Sequence, residues 1–207
     1  MKNLKRFLFI IILFIIFFII TARSYANTIS KDLSNTFFRL HILANSDSSE
    51  DQELKLKVRD AILEYMNTLC YDNISKEEAI KLSKEHIKDF KKISEKVIKE
   101  NGYNYNVNVQ IGNFYFPTKI YGNISLPAGN YDALKIEIGN AQGKNWWCSL
   151  FPPLCFVDIS TGVIDEKSEE YLRENLTNEE FTVISSNADE IKLKFKIIEV
   201  LNQKNIL

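Results

Sequence analysis

Histidine is almost missing from this sequence, with His41 and His86 the two instances in 207 residues, and cysteine is nearly as scarce, with three. That scarcity excludes the usual zinc sets, which gather four Cys or His ligands at short spacings; Cys148 and Cys155 have no histidine near them. The H-E-x-x-H pair, the G-x-S-x-G elbow and the D-T-G or D-S-G signatures are all absent. GNAQGKN, residues 139–145, contains G-x-x-x-G-K, but a phosphate loop needs one more residue between its glycines and a Ser or Thr after the lysine. Here Asn145 follows Lys144. Glycine (seven) and proline (four) are also few, and the chain has no low-complexity linker and no internal repeat. No metal, cofactor or catalytic residue is implied.

An excess of positive charge is missing as well. What the chain does have is a basic start, MKNLKR, then an unbroken apolar run from Phe7 to Ile20, then small Ser24 and Ala26 at the spacing of a cleavage site. Residues 1–26 read as an export signal or N-terminal anchor, and fourteen apolar residues are short of the roughly 20 that a bilayer span needs. Residues 27–207 are then the working domain. They hold all 27 acids and 22 of the 26 bases, a net charge of −5, which argues against nucleic acid as a partner.

Periodicity gives the elements. TFFRLHIL alternates, with Phe38, Leu40 and Ile42 to one side and Arg39 and His41 to the other, as in a half-buried strand. A helix follows to about Leu69, opened by a Ser49/Gln52 capping box, and a second opens at Ser75/Glu78 and runs towards Gly102. Strands are expected over 103–111 and 131–138, with an aromatic stretch between them broken by Pro117 and Gly122. WWCSLF reads as a short helix ended at Phe151 by Pro152. Later, Ser168 to Leu176 reads as helix and FTVIS as a short strand; within 188–203, IKLKFKI alternates like a strand, but Ile191, Phe195, Ile198 and Leu201 also fit a helix behind an Asn187/Glu190 capping box, and a C-terminal helix is the favoured reading. The sum is a single α+β domain: an antiparallel sheet with an N-terminal helical pair and a C-terminal helix.

Three clusters invite chemistry. His41, Ser46 and Asp47 supply the residue types of a hydrolase, yet Ser46 and Asp47 have a sufficient role in a helix-capping turn, and a recognition edge fits better. His86 lies near a helix stripe and reads as structural. In GKNWWCSLFPPLCFVD, residues 143–158, export makes thiols oxidisable and two prolines fold the chain back. A Cys148–Cys155 bridge is expected, with two buried free thiols as the alternative. Trp146 and Trp147 are adjacent, so they diverge in either a strand or a helix. One exposed ring would make a strong partner anchor.

RLHILANSDSSEDQELKLKVRDAI (39–62) and LPAGNYDALKIEIGNAQGKNWWCSLFPPLCFVD (126–158) resemble the two signature blocks of the stage II sporulation protein R family. The resemblance spans about residues 37–158. It implies a protein made in the forespore and secreted towards the space between forespore and mother-cell membranes. There the family triggers a membrane-embedded aspartic protease that processes the pro-form of the mother-cell sigma factor. On that reading the chain is not an enzyme, and Arg39, His41, Trp146, Trp147 and Phe151 are the candidate partner contacts. A secreted cell-wall-acting enzyme and a structural envelope protein are the alternatives.

Overall fold

A computed structural model of the chain describes residues 2–69, 74–155, 164 and 166–185. The expected helix over 188–203 lies outside these residues, as does Cys70. The apolar N-terminal segment forms one long helix, α1 (Lys2–Thr36). Its apolar run, Phe7–Ile20, is exposed, and the helix as a whole is long and apolar enough to cross a membrane, a test of length and composition that a signal sequence also passes. Its last turns belong to the domain: Leu33 is wholly buried and the Ser30 hydroxyl donates to the Ala128 carbonyl.

The chain then enters β1 (Phe38–Leu43) and a helical layer of α2 (Ser49–Leu69), α3 (Lys76–Glu85) and α4 (Ile87–Glu100). The Ser75/Glu78 capping box forms as read. At α2 the cap sits one residue earlier, where the Ser48 hydroxyl accepts from the Asp51 amide. One helix was expected between Ser75 and Gly102, and two are found, divided at His86. The His86 ring contacts the Tyr65 hydroxyl at 2.8 Å and Asp89 at 3.0 Å, a structural role. Gly102, at φ +84°, ends α4 with the amide of Tyr103 reaching back to the Ile98 carbonyl.

Four strands form the main sheet: β2 (Val107–Phe116), β5 (Gly129–Ile138), β1 and β6 (Asn145–Phe151), in the order β2-β5-β1-β6. β3 (Lys119–Tyr121) and β4 (Ile124–Leu126) make a separate hairpin. Helices α5 (Glu166–Asn175) and α6 (Asn178–Ser185) follow.

The architecture is α+β, with three local corrections. The sheet is mixed, because β1 runs parallel to β5. A parallel pair needs a long crossover, and here α2 to α4 and β2 supply it. WWCSLF is a strand, since Pro152 bars helical geometry at Phe151 but does not require it before. FTVIS falls within α6.

β1 is also buried on both faces. Phe38, Leu40 and Ile42 face the helical layer, where Leu54, Val58, Ile62, Phe90 and Ile98 complete the core. Arg39 and His41 face Phe116, Tyr121, Tyr131 and Trp147 on the other side.

Candidate recognition surface at the paired signature strands

The five residues expected to meet a partner lie on two neighbouring strands. β1 pairs with β6 so that Phe38 opposes Phe151, Arg39 opposes Ser149, His41 opposes Trp147 and Ile42 opposes Trp146. Strand alternation then sends the tryptophans to opposite faces. Both rings are half-buried. Trp146 lies on the helical side, with the Arg59 guanidinium of α2 4.3 Å above its ring. Trp147 stacks on His41 at 3.6 Å and 17°, with Phe116 in an edge contact at 4.7 Å and 63°.

His41 is 6% exposed. Burial drives its pKa down to about 4, and Lys135 adds to the fall; the hydrogen bond to Asn145 and the charge of Glu137 oppose it. Nε2 lies 2.7 Å from the Asn145 side-chain oxygen, while Nδ1 has no partner. The ring is therefore neutral under ordinary conditions. The residues that would complete a hydrolase set with it are occupied elsewhere: Ser46 donates to Asp51, and Asp47 accepts from the Lys144 amide.

Arg39 is wholly buried, so any part it has in partner binding is indirect. Its Nε donates to the Cys148 carbonyl at 3.0 Å and Nη2 to the Tyr121 hydroxyl at 2.6 Å. The guanidinium carbon sits 4.4 Å from the Phe116 ring centre and 4.9 Å from that of Tyr131. No acid pairs with it among the described residues, and Nη1 is unpartnered. Burial raises the pKa of both Tyr121 and Tyr131, outweighing the nearby positive charge. Tyr121 passes the contact on, donating to the Trp147 carbonyl. An aromatic cage thus holds a cation beneath the Trp147 surface, where cation–π contacts gain strength from desolvation.

Cys148 and Cys155 are disulfide-bonded, with Cα atoms 5.1 Å apart. The turn they close folds back on β6, where the Leu154 amide donates to the Ser149 carbonyl. Phe151 is buried at its end, edge-on to Tyr171 of α5.

The two recognised blocks also meet through their loops. Gly143 donates to the Ala44 carbonyl, Gln142 to that of Asn45, and Lys144 to the Asp47 carboxylate. These amides are spent on the protein itself, which is the physical end of the phosphate-loop likeness. Gly143 is required, because a Cβ there would run into the Ser46 carbonyl oxygen. Lys55, nearly fully buried, donates to Gln52 and the Lys144 carbonyl. Burial works to raise the Asp51 pKa, and hydrogen bonds from Ser46, Asn45 and Tyr105 overcome it, leaving the carboxyl below its usual value.

Sequence reasoning missed Phe116, Tyr121, Tyr131, Lys55 and Asn145. The aromatics were visible as a rich stretch, but nothing in their spacing pointed at Arg39.

A family model described as stage II sporulation protein R matches residues 34–161. The chain is also similar to stage II sporulation protein R of Bacillus subtilis (strain 168). The two are 39% identical over 155 residues, 74% of this chain and 69% of that protein. No solved structure matches.

Proposed function

The chain belongs to the stage II sporulation protein R family, and from that premise we propose that it is an exported sporulation signal which activates a membrane-embedded aspartic protease. The apolar α1 carries it across the forespore membrane. In the space between the two membranes it meets the protease of the mother-cell membrane, which then removes the pro-sequence of the mother-cell sigma factor. The role calls for recognition and no bond chemistry. A ligand of this kind works by binding the active state of its target better than the inactive one.

The observation that carries this reading is the meeting of both signature blocks on β1 and β6, with two half-exposed tryptophans at the sheet edge. Trp147 and Trp146 make the direct contacts. His41 and Arg39 fix Trp147 from beneath, and Phe151 fixes the strand end. The test is reconstitution of protease, pro-sigma substrate and this protein. Trp147→Ala is expected to cut processing tenfold or more while circular dichroism stays unchanged. Full processing with both Trp146→Ala and Trp147→Ala would remove this surface from the mechanism.

A further inference from the structure

The sheet has two edges, and they are treated differently. At β6 the Trp147 and Ser149 carbonyls are taken by the Tyr121 hydroxyl and the Leu154 amide, and the disulfide-closed turn folds back on the strand. At the far edge β2 pairs with β5 alone among the described residues. Its ten residues, VNVQIGNFYF, include no charge and no proline. Their register against β5 runs unbroken from Val107 to Phe116, with no bulge. Soluble proteins ordinarily blunt such an edge with charge, proline, a bulge or brevity, because an open ladder of amides and carbonyls templates another strand. β2 uses none of these devices.

We propose that β2 is the pairing edge of a homodimer, in which β2 of one copy adds antiparallel to β2 of another and extends the sheet to eight strands. The strand complements itself. With a two-fold axis at Ile111, Ile111 faces its own copy, Val109 faces Asn113 and Val107 faces Tyr115 on the helical side. On the open side Gln110 faces Gly112 and Asn108 faces Phe114. No like charges meet, since the strand carries none. An axis at Gly112 would instead set glycine against glycine and lose the central side-chain contact. A ladder over Val107–Tyr115 supplies roughly eight hydrogen bonds, near the number found in a standard interface. Two-fold closure leaves no free edge of this kind for further growth. The inference does not depend on the signalling role.

Cross-linking of the full chain in its membrane tests the pairing and its register. In a Cys70→Ser background, Ile111→Cys places two thiols directly opposite, within about 4.5–5.5 Å between Cβ atoms. Most of the chain is then expected as a disulfide dimer on a non-reducing gel. Asn108→Cys and Phe114→Cys should each cross-link weakly alone and strongly when co-expressed. Residues 110 are diagonal neighbours across the axis, so Gln110→Lys should lower the Ile111→Cys dimer at least fivefold, and a Gln110→Lys chain mixed with Gln110→Glu should recover it. Light scattering on the two Gln110 variants and the unaltered protein gives the same reading without new cysteines. A monomer under every condition overturns the proposal. So does an Ile111→Cys product joined to a different protein, which would mean that β2 accepts a foreign strand.

Discussion

Arg39 is a charge enclosed by rings and two acceptors, and its replacement separates geometry from charge. Lysine keeps the charge but loses the planar fork that reaches Cys148 and Tyr121 together, leaving a desolvated ammonium. Arg39→Lys is expected to cost about 2–4 kcal/mol in urea unfolding. Arg39→Met removes the charge and keeps the volume, and buried charges replaced in this way often cost little, so it should be the more stable of the two. If lysine is as good as arginine, the cage is only packing.

His41 makes a second residue-scale prediction, in pH. Its folded pKa of about 4 lies below the usual 6.5, so the unfolded chain binds the proton more readily. The stability held by neutral His41 is fully present above pH 6.5 and is lost as pH falls towards 4. The loss is on the order of 2–3 kcal/mol. Urea midpoints measured from pH 7 to 4.5 should fall steeply for the native protein and less for His41→Phe, which keeps the ring stack on Trp147. Equal slopes would show that other groups, Glu137 among them, govern this range.

At the scale of the element, the β6 turn depends on a short covalent loop. The Cys148–Cys155 bond closes seven residues of separation, worth about 2–3 kcal/mol in the chain-entropy account. Cys148→Ser with Cys155→Ser should lower the unfolding free energy by about that amount, and thiol labelling of the native protein should find neither cysteine free until reduction. The elements show what local pattern does and does not encode. The Ser75/Glu78 cap and the Gly102 stop were legible because capping is decided within a few residues. WWCSLF is a strand and not the expected helix, and with apolar side chains on both of its faces it has no polar alternation to betray it. The parallel pairing of β1 with β5 was invisible because it depends on the route of the chain between them. Alternation sets Arg39 on the side of β1 opposite Phe38, Leu40 and Ile42, as a candidate partner contact, but the aromatics that enclose it come from β2, β3 and β5, at least 77 residues on, beyond the reach of a local pattern.

Across the whole molecule, the apolar N-terminal segment and the last turns that pack on the core share one helix. The expected cut after Ala26 falls within α1, ahead of every α1 residue that packs into the core. Leu33 is wholly buried and Ile29 packs on the same core. Ser30 donates to Ala128, and the Ser34 carbonyl accepts from Lys76, whose amine also pairs with Asp132 at 2.8 Å. Removing residues 1–26 therefore takes no residue from the core, whereas removing ten more opens a leucine-sized cavity and strips a buried lysine of one acceptor. A chain of residues 27–207 should melt as one cooperative unit. A chain of residues 37–207 should be weaker by roughly 3–5 kcal/mol, from the large-to-small cost of Leu33 together with the lost hydrogen bonds. That is a large part of the 5–15 kcal/mol that holds an ordinary domain together. Equal melting temperatures for the two chains would mean that the last turns of α1 are only a tether, and that the domain begins at Phe37.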